Sequence, residues 1–201
     1  QIKTIKKLVG SNQVLVGVSG GVDSSVVAAL IKKAIGEKMS AVLLDHGLLR
    51  KNEAEECRKF LKNGLGIEIN LYDESEAFFS KLKGVTNPEE KRKIIGKQFI
   101  DSFDRISNKQ DNIKFLAQGT LYPDVIESGV SNSNTAHVIK SHHNVGGLPK
   151  EMKFQLIEPL RELFKDEVRN VGYELGLDRM LVDRHPFPGP GLGVRIIGEI
   201  T

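Results

Sequence analysis

The chain has 201 residues, 39% of them hydrophobic and 27% charged, the make-up of a globular domain with one sizeable core rather than two. No apolar run approaches the about 18 residues that span a bilayer. Gln1-Ile2-Lys3-Thr4 carries no secretory signal, and a single cysteine, Cys57, excludes an intrachain disulfide and a thiolate metal cluster. A net charge of +3 gives no support for nucleic-acid binding and suits a small anionic ligand. A cytoplasmic protein with no membrane or nucleic-acid partner is expected, and a start without Met suggests an excised or processed piece.

In chain order, residues 14–18 are a short β-branched run leading into glycines, which predicts a buried strand. Val26, Val27, Leu30 and Ile31 then fall at helical spacing, so residues 24–35 read as a helix. Residues 40–44 form a second buried strand. Asn52 is the expected N-cap of a helix over 53–63, with Glu53, Glu55 and Glu56 in its first turn. Residues 66–71 predict a third strand, and a long charged helix runs between Pro88 and Ile106. A fourth strand covers 113–117, and another helix covers 161–175. Strands alternating with helices predict an α/β fold, a doubly wound, mainly parallel sheet with helices on both faces, over a single domain of residues 1–201. The stretch from His185 to Gly193 holds too much Pro and Gly for continuous regular structure.

The strongest local signal is Ser19-Gly20-Gly21-Val22-Asp23-Ser24-Ser25, directly between a strand and a helix. Successive backbone N–H groups at a helix N-terminus, with the positive end of the dipole behind them, bind phosphate. The glycines let the backbone approach the oxygens, and the serines add hydroxyl donors. Asp23 would repel a bare phosphate, so it points to a bridging Mg²⁺. No G-x-x-x-x-G-K-[ST] and no G-x-G-x-x-G spacing is present here, which removes the two commoner nucleotide loops. The bland alternative is a glycine turn that binds nothing.

This loop resembles the pyrophosphatase loop of the N-type ATP pyrophosphatases, which hold the β and γ phosphates of ATP and cleave between α and β. The resemblance implies an adenine nucleotide alpha hydrolase-like fold, with ATP and Mg²⁺ as cofactors. Further segments resemble one branch, the GMP synthetases. They are Asp45-His46-Gly47-Leu48-Leu49-Arg50, the run from Gly119 to Ser128, the run from Ile139 to Pro149, the run from Glu158 to Arg169, and the run from Arg184 to Gly193. The loop resemblance assigns Ser19, Gly20, Gly21, Val22, Asp23, Ser24 and Ser25 to ATP and pyrophosphate. The family also places adenine at the end of the second strand, against backbone and apolar side chains such as Leu44.

Asp124 and Glu127, three apart behind Pro123, share one helix face. They could hold Mg²⁺, Asp124 together with Asp23, or position an attacking nucleotide; alternatively they compensate the helix dipole. Lys140, His142 and His143 fit phosphate binding and hydrogen bonding better than a metal site, and a solvated polar loop is the alternative. Lys165 is assigned by the resemblance to the departing pyrophosphate, where a cation neutralises developing charge. Lys81 to Lys97 resembles the family's lid over the xanthine nucleotide, with Arg92 and Lys97 as candidate contacts.

The implied reaction has three stages. The O2 oxygen of XMP attacks the α-phosphate, an adenylated XMP forms, and ammonia displaces AMP to give GMP. Asp124, Glu127, Lys165 and Lys140 are the candidate catalytic residues, and Arg92, Lys97, His142 and His143 the candidate XMP contacts. Cys57 lacks the context of a glutaminase nucleophile, so ammonia is expected from a glutaminase domain or subunit outside the chain. A dimerisation domain is likewise expected outside it, making the full-length parent a homodimer. The alternatives are another amide-forming member such as NAD synthetase, or a non-catalytic nucleotide-binding module.

Overall fold

The computed structural model describes residues 1–109, 112–129, 154–185, 189 and 191–200, with the side chains of 127–129 outside the description. The chain runs α1 (Ile2–Val9), β1 (Gln13–Gly17), α2 (Val22–Ile35), β2 (Met39–Asp45), α3 (Glu53–Leu65), β3 (Ile69–Asp73), α4 (Ser75–Leu82), α5 (Pro88–Ser107), β4 (Ile113–Ala117), α6 (Tyr122–Gly129), β5 (Gln155–Ile157), α7 (Lys165–Glu174) and α8 (Arg179–Val182). The five strands form one sheet in the order β3-β2-β1-β4-β5, and every pairing is parallel.

Alternate residues of each strand serve opposite faces of the sheet. Val14 and Val16 of β1 and Ala41 and Leu43 of β2 join the large core with Val26, Val27, Ile31, Leu61 and Val168. Leu15, Val42, Leu44 and Leu116 face the other way, against Phe99, Phe103 and Ile106 of α5. Helices therefore cover both faces, as the doubly wound reading expects. Side chains such as Leu15, Ile31 and Leu61 are fully buried, each contributing about 1.5–3 kcal/mol.

Some boundaries differ from the sequence reading for local reasons. The third strand begins at Ile69 rather than residue 66. Gly66, at φ 62°, and Ile67 close α3 by donating their N–H groups to Lys62 and Leu61. Asn52 does precede α3, but its backbone is left-handed and its side chain makes no capping bond. Glu53 instead accepts the backbone N–H of Arg50. The last long helix starts at Lys165, because residues 158–163 form tight turns first. Four elements, α1, α4, the three-residue β5 and the four-residue α8, were not read from the sequence.

The order of the strands locates the ligand crevice. From the central β1 the chain winds to β2 and β3 on one side, then to β4 and β5 on the other. Open parallel sheets bind ligands outside the carboxyl ends of their strands where this reversal occurs. Here that point lies between the loops that follow β1 and β4.

Candidate active site at the phosphate loop

β1 hands over to the loop through Val18, whose N–H donates to the carbonyl of Val42 at 2.8 Å. Gly20 then turns at φ 77°, a conformation that side-chain-bearing residues rarely adopt, and α2 begins at Val22, two residues before the expected start. The loop scaffolds itself. The Ser19 N–H donates to Ser24 Oγ at 3.1 Å, and the hydroxyls of Ser24 and Ser25 donate to the Gly21 carbonyl at 3.1 and 2.9 Å. Gly21, at the N-cap, offers no side-chain acceptor to the first turn of α2. Among the described residues no side chain caps the N–H groups of that turn, which suits them to solvent or an anion.

Two distant elements close on this loop. Lys165, the first residue of α7, places Nζ 2.7 Å from both carboxylate oxygens of Asp23. Gly119, just past β4, lies so close that an added Cβ would stand 3.2 Å from Cβ of Asp23 and 3.5 Å from the Ser24 nitrogen. A side chain there would have to push the β1 loop back by a few tenths of an ångström, so glycine fits this close approach best.

Asp124 is 8% exposed, and its carboxylate accepts the Leu121 N–H at 2.8 Å, so it caps the start of α6. Leu44 is 4% exposed and packs against α5. Arg92 pairs with Glu89 at 3.3 Å along α5, Lys97 is exposed, and among the described residues neither pairs with a side chain of the loop. The lid-like stretch 81–97 ends in α5, held down by Lys91 and Ile95, both buried. The side chain of Glu127, and Lys140, His142 and His143 entirely, lie outside the described residues.

The turn after β2 is braced from several sides. Asp45 accepts the Gly47 N–H at 2.9 Å, and His46 Nδ1 accepts the Leu48 N–H at 3.2 Å. The His46 ring stands 5.5 Å from Phe78 and 5.3 Å from Phe99. Burial keeps this imidazole neutral and lowers its pKa to about 4, against the smaller opposing pull of Asp45 and Glu53. The C-terminal segment closes over the same turn: Leu192 donates to the Leu48 carbonyl at 2.7 Å. Lys91 donates to the carbonyls of Ile196 and Gly198.

Sequence reasoning gave Glu53 only a place in the first turn of its helix and gave Gly119 and Arg184 no role of their own, although Gly119 and Arg184 lie in the segments that carried the resemblance. Cys57, which lacks the context of a nucleophile, is fully buried, and desolvation raises its thiol pKa to about 11.

The family model for NAD synthase matches residues 2–96. Among solved structures, an NMN synthetase from Francisella tularensis superposes with a TM-score of 0.69 at 17% identity, covering 96% of this chain and 76% of that one. The NH3-dependent NAD synthetase from Campylobacter jejuni gives 0.66 at 18% identity, covering 92% and 75%. Sheet order and these superpositions define a doubly wound α/β fold of the kind seen in those NAD and NMN synthetases. The glutamine-hydrolysing GMP synthase of Teredinibacter turnerae is 58% identical over 199 residues, and that of Pseudomonas fluorescens 59% over 199. Each alignment covers 99% of this chain and 38% of the relative, so the chain spans well under half the length of the curated relatives it matches. The chain belongs to the GMP synthase family.

Proposed function

We propose that this chain activates XMP with ATP, releasing pyrophosphate, and that ammonia then displaces AMP to give GMP. The observation that carries this reading is the 57–59% identity to GMP synthases over essentially the whole chain. The geometry at the loop supports it. A helix N-terminus with open N–H groups, two glycines and Lys165 converge where a polyphosphate could sit. A cation and fixed N–H dipoles stabilise charge as it develops on a leaving pyrophosphate.

In this reading Ser19, Gly20, Gly21, Val22, Ser24 and Ser25 hold the β and γ phosphates. Lys165 leaves Asp23 to follow the charge. Asp124, already rigid as a cap, sets the start of α6, and Glu127 lies one turn further on. Lys140, His142, His143, Arg92 and Lys97 remain the proposed contacts to the acceptor nucleotide.

The donor set suits Mg²⁺ held mainly by phosphate oxygens. Among the described residues no group of three or more His, Cys, Asp and Glu side chains could form a protein cage. Mg²⁺ commonly takes one or two carboxylates plus substrate phosphates, and Asp23, partly exposed within the loop, fits that part. When bound, the ion would supply charge neutralisation to the phosphates. Ammonia is proposed to arrive from a glutaminase domain or subunit outside this chain, in a cytoplasmic enzyme whose complete form is a homodimer.

The test is product analysis. The full polypeptide, given α-labelled ATP, XMP and ammonia, is expected to yield labelled AMP together with GMP. ADP as the main product removes the pyrophosphatase reading. Turnover with nicotinate adenine dinucleotide, and none with XMP, leaves the class intact and replaces the acceptor.

A further inference from the structure

Glu53 is a buried carboxylate, 2% exposed, at the start of α3. Burying such a charge is costly unless it is paired and fully hydrogen-bonded. Its Oε2 accepts the backbone N–H of Arg50 at 2.9 Å, and Oε1 accepts from the Arg50 guanidinium at 2.9 and 3.3 Å. A second guanidinium, that of Arg184, stands 3.5 Å from the same Oε1 and 3.6 Å from Glu56. Burial alone would raise the carboxyl pKa, but the hydrogen bonds from Arg50 and the charges of Arg50 and Arg184 outweigh it, and the group is held below its ordinary range.

The third neighbour is the phosphate loop. A Cβ added to Gly20 would lie 3.5 Å from Glu53 Cγ and 3.6 Å from Oε1. One carboxylate thus meets the turn after β2, the segment after α8, and the glycine that bends the loop. A bare carboxylate behind a phosphate site would repel its ligand, whereas one carrying two guanidiniums does not.

We infer that Glu53 is a positioning residue of the phosphate loop: it braces the Gly20 turn and fixes Arg50 and Arg184 beside it, and so raises the affinity for a polyphosphate. The inference rests on reading the loop as a polyphosphate site. Glu53 touches no reacting atom in this scheme and acts through the two arginines.

Inorganic pyrophosphate is the probe, titrated calorimetrically into the full polypeptide and its variants. Glu53→Gln is expected to weaken binding at least ~10-fold, the scale of losing hydrogen bonds to charged groups. The same change made on an Arg184→Gln background should have a smaller effect, since coupled residues are not additive. Unchanged affinity in Glu53→Gln, with only a lower melting temperature, overturns the inference and leaves Glu53 a packing group. Tighter binding overturns it too, because Glu53 would then oppose the phosphate. If Glu53→Gln does not fold, Arg184→Gln alone decides: weaker binding supports the inference and unchanged binding overturns it. If the unmodified protein binds no pyrophosphate, the loop reading falls and this inference with it. If the unmodified protein binds and Glu53→Gln binds equally, only the inference falls.

Discussion

Asp23 is the residue at which sequence and structure complement each other. An acid inside a loop proposed to bind an anion asks for a cation, and the structure provides one in Lys165. The pair is about a third exposed on each side, so its own contribution to stability is about 0–1 kcal/mol. Asp23→Asn should therefore fold normally, and Asn fills a helix first turn about as well as Asp. Its activity should nonetheless fall at least ~10²-fold in adenylation, roughly 2.7 kcal/mol of barrier, if the carboxylate also holds the metal against the phosphates. Steady-state rates over a Mg²⁺ series distinguish the roles: partial recovery at high Mg²⁺ indicates a metal-affinity defect. Near-normal rates with unchanged Mg²⁺ dependence would reduce Asp23 to a partner of Lys165. The loop itself was legible because its chemistry is local. The partnership was not, since the two residues are 142 apart in sequence and no periodicity connects them. The resemblance reached Lys165, and only the fold shows what it touches.

Among the elements, β1, β2 and β4 were readable because their interiors are short continuous apolar runs, buried on both faces. β5 was not, because only Ile157 of its three residues is buried and no alternation can show. The turn after β2 carried an invisible feature of another kind, a histidine made apolar by its surroundings. The folded pKa of His46 lies near 4 and the unfolded value near 6.5. Between these values the unfolded chain binds the extra proton, so the native state is fully favoured above pH 6.5 and loses this contribution as pH falls towards 4. The loss amounts to about 3 kcal/mol at most. Asn can accept an N–H two residues on, as His46 does, and does not titrate. His46→Asn should therefore keep the turn and flatten the decline of melting temperature across that pH interval. An equally steep decline in the variant would assign the acid sensitivity to other groups.

At the scale of the whole molecule, the loops after β1 and β4, the start of α7 and the segment after α8 meet around one crevice. A ligand seated there touches pieces from most of the chain, so binding should report on global stability. At a hundred times its dissociation constant a ligand adds about 2.7 kcal/mol. For a domain of this size that is about 5–11 °C in melting temperature. Pyrophosphate with Mg²⁺ should produce such a shift in thermal denaturation, and orthophosphate at equal concentration a smaller one. No shift from pyrophosphate at saturating concentration argues against the crevice as its site. The fold class was legible from the alternation of strands and helices. The placing of the crevice between β1 and β4 was not, because strand order is a property of the folded sheet.

The central position of β1 also governs the order in which the molecule can be made. β1, β2 and β3 all precede β4 in the chain, so three adjacent strands leave the ribosome before it and can pair as they emerge. The fourth strand pairs Ala117 with Val16, a contact that closes a long excursion through α5 and pays its loop entropy late. Gly119 and Lys165, the two groups that press on the phosphate loop, are translated later still. A nascent chain can thus hold the loop sequence and half the sheet while its phosphate site remains unbuilt. Under the proposed reading the crevice is complete only once the last third of the chain is made, so a product stalled before Lys165 is expected to bind no pyrophosphate.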